Sequence, residues 1–523
     1  METFYVAILS FLFLLAIHRL LLGHRGSKIN GEMNKSIPPV VPPPGPLALP
    51  ILGHLHILEK PIHHSLSRLA TRYGPVLSIR LGSRDAVVVS SADCARQCFT
   101  ELDVIFANRP AFPTMNLMTY GGTTIGNCRY GAYWRHIRRV ATVHLLSSSR
   151  VSSMVPAISA EVRAMVRRMY GAAAAGSGGT ARVELRRRLF ELSHSVLMGT
   201  IAETRTSRAV GYADTDMSPE AQEFKGMMDV LMPLLGAANT WDCLPVLQRF
   251  DVLGVKKKIA AAVSGRDAFF QRLIDTERGR PDDGGGGGEK KSMIAVMLSL
   301  QKSEPESYTD ETIMAILFSM FAAGSESTAG TTEWAMSLLL NHPEVIKKAQ
   351  EEMDATIGNS RLLDADDVPR LGYLQGIINE TLRLYPVVPL LVPHESTADC
   401  TVGGHHIRSR TLLLVNVYAI QRDPAIWEDP TAFKPDRFQD PVAEEKFMIP
   451  FGMGRRKCPG EGLARRTLAM VLGSLIQCFD WDTVGGAAKV DMTEGPGLTL
   501  PRAVPLEAMC KPRRVMLDVL RKL

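Results

Sequence analysis

Apolar residues occur along the chain in three kinds of run. The first is Phe4–Leu22, almost continuously apolar and broken only by Ser10, His18 and Arg19. A helix spanning a bilayer needs roughly 20 such residues, so this segment is long enough. His24, Arg25 and Lys28 follow it, which puts that side in the cytosol by the positive-inside rule. A cleavable signal peptide competes with this reading, but Glu2 and the lack of an A-x-A site speak for an uncleaved anchor over residues 1–30. The second kind is short and rich in β-branched residues: Val76–Arg80, Ala86–Val89 and Thr411–Val417 predict strands. The third has helical spacing and dominates from about 130 to 390, interrupted by glycine-rich loops at Gly171–Gly179 and Pro281–Gly288. A proline-rich stretch over 31–50, including Pro42-Pro43-Pro44-Gly45-Pro46, reads as a semi-rigid hinge. The expected architecture is mainly α with a minor β component, as one body over 51–523.

The longest helical run extends from about Asp310 to His342. Thr309 serves as N-cap, Asp310 and Glu311 complement the dipole, and Pro343 stops it. At about 1.5 Å per residue it would be roughly 50 Å long. Ile313, Met314, Ile316, Leu317, Phe318, Met320 and Phe321 make it apolar on nearly every side, as a buried helix is. Halfway along, the pattern changes to Ala322-Ala323-Gly324-Ser325-Glu326-Ser327-Thr328. Small residues make room beside the helix, and hydroxyls loosen its ladder. A crossing of two helices explains the small residues but not Glu326; an acid with neighbouring hydroxyls suits controlled proton delivery.

Charge and cysteine usage narrow the classes. A balance of 60 Lys+Arg against 54 Asp+Glu is too mild for a nucleic-acid partner, though Arg135, Arg139, Arg465 and Arg466 could form a local docking face. Eight scattered cysteines suit a reducing compartment; Cys94 and Cys98 share a helix face without further metal ligands. In a cytosolic body the sequons at Asn34 and Asn379 stay unglycosylated.

One cysteine stands apart, in Phe451-Gly452-Met453-Gly454-Arg455-Arg456-Lys457-Cys458-Pro459-Gly460. The glycines let the backbone approach a flat ligand, and the basic triplet is expected to lower the thiol pKa. A helix predicted over Gly460–Met470 would add its N-terminal dipole. The spacing F-x-x-G-x-R-x-C-x-G resembles the haem-ligand signature of the cytochrome P450 family. The resemblance implies haem b held by Cys458, with Phe451 against it, in a P450-type haem-thiolate fold. The segment at 322–328 is similar to the family's oxygen-activation motif, implying catalytic roles for Glu326 and for Ser327 or Thr328. Here Ser327 stands where threonine is usual. Trp134 and Arg138 fall at i, i+4 and resemble the family's W-x-x-x-R helix; with His394 and Arg456 they would contact the haem propionates. Glu380-Thr381-Leu382-Arg383 and Lys434-Pro435-Asp436-Arg437-Phe438 resemble the segments of a structural triad of Glu380, Arg383 and Arg437. Expected substrate-pocket walls are Phe112, Met115, Met118, Phe318, Ala322, Val388 and Leu498.

The motif variants are similar to plant microsomal members, of the flavonoid and isoflavonoid hydroxylase branch that includes herbicide-metabolising enzymes. That resemblance implies an endoplasmic-reticulum protein with its catalytic body on the cytosolic side. It implies hydroxylation or O-dealkylation of a lipophilic specialised metabolite or xenobiotic. Electrons would come from NADPH through a separate cytochrome P450 reductase, with cytochrome b5 as a second donor, since no G-x-G-x-x-G opens a βαβ unit here. Two alternatives stay open at this point: a haem-thiolate isomerase or dehydratase that needs no reductase, and a non-catalytic haem-binding protein.

Overall fold

A computed structural model describes residues 41–206, 217–236, 239–251, 254–280, 292–440, 446–486 and 489–523. The expected anchor at 1–30, the first half of the hinge at 31–50 and the Pro281–Gly288 loop lie outside these residues. Seven helices position the site: α1 (Ile62–Tyr73), α2 (Ala132–Arg139), α3 (Leu185–Ile201), α4 (Pro219–Leu231), α5 (Asp310–Asn341), α6 (Gly372–Leu384) and α7 (Glu461–Cys478). Four strands form the main sheet, β1 (Val76–Leu81), β2 (Arg84–Val89), β3 (His394–Glu395) and β4 (Leu412–Val415), in the order β1-β2-β4-β3. β1 and β2 form an antiparallel hairpin, β2 runs parallel to β4 with Val88 opposite Leu414, and β3 pairs antiparallel with β4. Strands at Ala181–Glu184, Phe479–Thr483 and Glu507–Pro512 form a second sheet without a clear alternating pattern in sequence. The expected loop at Gly171–Gly179 is shorter than read: Gly171 to Ala175 are the last turn of a helix spanning Val155–Ala175. Alanines at 172–175 favour helix strongly enough to carry the glycine.

Helix α5 is the central element. The Thr309 side chain accepts from the Thr312 amide, and the helix ends at Asn341, before Pro343. It is the one described helix apolar and long enough to cross a bilayer, but 56% of its most apolar window is buried within the protein. It packs along α3 and α7. Gly324 permits the contact with α3, since a Cβ there would lie 3.1 Å from both methyl carbons of Leu197.

Beside α5, helix α6 carries a fully buried ion pair. Arg383 donates from Nε to Glu380 Oε2 at 2.7 Å and from Nη2 to Oε1 at 2.8 Å. Neither side chain is exposed to solvent. Arg437 Nε adds a bond to Glu380 Oε1 at 3.0 Å, and Arg383 Nη1 donates to the carbonyls of Gln421 and Pro430. The desolvation cost of a pair like this is repaid only when every donor and acceptor is used, and here nearly all are. Arg383→Ala leaves a carboxylate buried with one guanidinium instead of two. It is expected to destabilise the fold by about 3–5 kcal/mol, read as a lower urea midpoint.

Candidate active site

An apolar cavity of about 410 Å³ lies between α5 and the loop preceding α7. Its wall includes Met115, Met118, Phe318, Ala322, Val388 and Leu498, all expected from the sequence. Phe112 is not part of it: the ring is buried elsewhere, with the Arg84 guanidinium 4.8 Å from its centre. Val196 and Leu197 of α3 and Met228 and Leu231 of α4 also line the space. Their apolar spacing is that of any core helix, so no sequence signal separates them from core.

The Cys458 sulfur opens onto this cavity. Its loop is shaped by two left-handed glycines, Gly452 at φ 71° and Gly454 at φ 67°. A Cβ on Gly454 would also lie 2.5 Å from Asp103 Oδ1 and 2.7 Å from the Phe99 carbonyl, so only glycine fits. The Cys458 amide donates to the Phe451 carbonyl at 2.8 Å, closing the loop. Within the basic triplet Lys457 lowers the thiol pKa as expected, but all three cations are engaged with other groups. Arg455 pairs with Asp103 at 2.6 Å, Lys457 pairs with Glu461 at 2.8 Å, and Arg456 donates to the carbonyls of Ala107, Ile125 and Cys128. With those charges engaged elsewhere, burial dominates and raises the thiol pKa, against smaller lowering effects from the Gly460 amide, Arg138 and Lys457.

On the opposite wall, α5 presents Ser327, Thr328 and Thr331. Ser327 Oγ donates to the Ala323 carbonyl at 2.5 Å, which pins its rotamer, whereas serine alone predicts a freer one. Thr328 has no hydrogen bond from its hydroxyl among the described residues and is 7% exposed. Glu326 does not line the cavity. It is half-buried on the flank of α5, where burial raises its carboxyl pKa; Lys225 and Arg186 oppose that shift and Asp229 adds to it.

Helix α2 brings two donors to the same region. Trp134 Nε1 is buried without a hydrogen-bond partner. Arg138 makes no ion pair among the described residues; burial lowers its pKa, and the Cys458 sulfur is the group opposing that. Arg456 stacks against the Trp134 ring at 4.4 Å and commits three of its five N–H groups to backbone carbonyls. His394 also lines the cavity. Its Nδ1 lies 2.6 Å from the Phe106 carbonyl and donates its proton there. Burial and the neighbouring Arg109 and Arg456 hold its pKa well below the usual range. Arg109 was not anticipated: it reaches the cavity wall and ties the Gly126 carbonyl to those of Val392 and Pro393.

Comparison with known proteins bears on this arrangement. The cytochrome P450 family profile matches residues 43–505. The chain belongs to the cytochrome P450 family. It is 43% identical to cytochrome P450 81Q32 of Catharanthus roseus, over 91% of this chain and 92% of that one. It is 42% identical to an isoflavone 2'-hydroxylase of Glycyrrhiza echinata, over 92% and 94%. An isoflavone 3'-hydroxylase of Medicago truncatula is 40% identical over 99% of both chains. This P450 is accordingly a monooxygenase, and its family implies haem iron.

The residues present fit that group. A sulfur faces an apolar space, and a buried indole N–H and a half-buried guanidinium lie on α2 without protein partners, as donors awaiting carboxylates do. Cys458 would hold the iron, and Trp134, Arg138 and the spare N–H groups of Arg456 would hold propionates. Bound there, haem iron with a thiolate ligand supplies the electron push that favours O–O cleavage. Cys458→Ala is expected to abolish the thiolate-type spectrum of the reduced carbon monoxide complex; an unchanged spectrum would exclude Cys458 as ligand.

Proposed function

We propose that this P450 inserts one oxygen atom of O2 into a flat lipophilic phenolic compound of the flavonoid or isoflavonoid type. Its NADPH-derived electrons would come from a separate flavoprotein reductase, with cytochrome b5 as an auxiliary donor. The observation that carries the reading is that one apolar cavity holds both the Cys458 sulfur and the hydroxyl-bearing face of α5. Two relatives named as isoflavone hydroxylases direct the substrate class. The retained acid and hydroxyls favour oxygen activation over a reductase-independent rearrangement. Residues 1–30 are proposed to anchor the protein in the endoplasmic reticulum, with the catalytic body in the cytosol. With purified reductase, flavonoids and isoflavonoids should give hydroxylated products and speed NADPH consumption more than terpenoids or xenobiotics do. Turnover of peroxides without NADPH, and none with it, would instead establish the isomerase reading.

The chain's part in the chemistry is orientation and proton supply. Apolar walls exclude bulk water and leave few groups to orient a substrate. Ser327, fixed by its bond to Ala323, keeps its oxygen lone pairs available to hold a water at a set point on the wall. Glu326, on the flank of α5, is proposed to exchange protons with the outside, its raised pKa bringing the acid form closer to neutral pH. Ser327→Ala should keep haem binding and NADPH consumption while diverting reducing equivalents to hydrogen peroxide. Ser327→Thr should keep the coupling. Product and peroxide per NADPH decide this, and uncoupling by Thr328→Ala alone would transfer the role to Thr328. Glu326→Gln should slow product formation roughly a hundred-fold, the low end of general acid–base effects.

Electron delivery is proposed at the exposed side of α2. Arg135 and Arg139 are exposed, whereas Arg465 is engaged with Glu461 and Asn379, and Arg466 with Ser152. Reversing the charge of Arg135 and Arg139 together should slow the first electron transfer and flatten its salt dependence, with substrate affinity unchanged. An equal loss of substrate affinity would contradict a docking role.

A further inference from the structure

Among the described residues, one group of three side chains brings metal-ligating atoms together, and it lies outside the active site. His63 and His64 sit in the first turn of α1, and Glu494 lies more than 400 residues later, in the loop before the C-terminal strand. His63 Nε2 is 2.7 Å from Glu494 Oε2, and His64 Nε2 is 2.9 Å from the same oxygen. Consecutive residues on a helix point about 100° apart, so two adjacent imidazoles meeting at one carboxylate oxygen is not the default of the backbone. The Tyr418 ring packs against both, with centroids at 4.5 Å and 4.9 Å.

We propose that His63, His64 and Glu494 form a binding site for a divalent transition-metal cation, with zinc the best match to two imidazole nitrogens and one carboxylate oxygen. Zinc takes three such protein ligands and leaves a fourth position open. The burial pattern suits this. His63 and Glu494 side chains are 3% and 8% exposed, which fixes them, while His64 is 40% exposed and gives water access to the fourth position. Neither imidazole Nδ1 has a partner among the described residues. Each ring can therefore move its proton from Nε2 to Nδ1 and turn a lone pair toward the cation without net proton loss. Magnesium, which prefers all-oxygen ligands, does not match. The nearby cation, Arg422, stacks on Tyr418 at 3.5 Å and makes no hydrogen bond to Glu494 among the described residues.

The position gives occupancy a consequence. Glu494 begins a hairpin closed by bonds from the Gly495 amide to the Pro501 carbonyl and from the Ala503 amide to the Thr493 carbonyl. The hairpin tip, at Leu498 and Thr499, lines the substrate cavity, and also a smaller hollow of about 150 Å³ that His63 borders. A cation at Glu494 would pin α1 to this hairpin and restrain the tip.

The test uses the full-length, haem-loaded protein, stripped with chelator and titrated with Zn²⁺ by calorimetry, with metal content measured after buffer exchange. The wild type should retain one zinc that His64→Ala and Glu494→Gln lose, with affinity reduced at least ten-fold, while Mg²⁺ gives no response. Neither position lines the cavity, so the thiolate-type carbon monoxide spectrum of each variant reports whether it is folded. A second measurement needs no variant: Zn²⁺ should block carbethoxylation of His64 in the wild type, mapped by mass spectrometry, and Mg²⁺ should not. Equal zinc content in wild type and folded variants, or His64 labelling indifferent to Zn²⁺, would overturn the proposal and leave the three residues as a hydrogen-bonded cluster alone.

Discussion

The structure around the active cysteine depends on one buried ion pair. Glu380 and Arg383 lie on one face of α6 with no solvent contact, and Arg437 closes the group from a distant segment. Because both charges are desolvated, each must keep its partners, and those partners are backbone groups of the chain leading to the cysteine loop. Arg383 holds the Gln421 carbonyl at 2.8 Å, and Gln421 Nε2 returns to the carbonyls of Leu382 and Arg383. Gln421 Oε1 then accepts from the Ile449 amide at 3.1 Å, and the Ile449 carbonyl accepts from Gly452. A continuous set of hydrogen bonds thus runs from the ion pair to the loop that carries Cys458. Gly376 lets α6 approach this segment, since a Cβ there would lie 2.7 Å from the Pro435 carbonyl.

The active site divides its labour along the same lines. Charges near the sulfur are spent on structure: Arg455 anchors the loop to Asp103 and Arg456 ties three carbonyls together, so the thiol sits in an environment set by burial. The donors left free are those on α2, and the hydroxyls left in the cavity are those on α5. Glu326 stands off to the side, among Lys225, Asp229 and Arg186, so it places no carboxylate in the apolar cavity.

Much of this was legible in sequence where a local pattern carries it. Helix α5 is announced by its cap, its uniformly apolar middle and Pro343, and the cysteine loop by glycine spacing. The strands Val76–Leu81 and Arg84–Val89 follow from their β-branched runs. What was not legible depends on partners far away in the chain. Arg455 looked like part of a field acting on the sulfur because Asp103, more than 350 residues earlier, could not be seen to take it. The Phe106 carbonyl that takes the Nδ1 proton of His394 lies 288 residues away and was hidden in the same way. Phe112 shared the apolar character of its neighbours Met115 and Met118, yet only those two reach the cavity. The meeting of His63 and His64 with Glu494 exists only in the fold.

The direct test of the structural account is to cut the hydrogen-bonded connection at Gln421, which is fully buried and touches neither cavity nor haem-donor residues. Gln421→Met keeps the volume and removes the bonds to Leu382, Arg383 and Ile449. Measuring the share of the reduced carbon monoxide complex with thiolate-type absorption, beside helical content by circular dichroism, separates loop positioning from folding. The account predicts near-native helical content with most of the thiolate signature lost. A variant with full thiolate signature would show that the cysteine loop holds its position without the Gln421 connection to the buried ion pair.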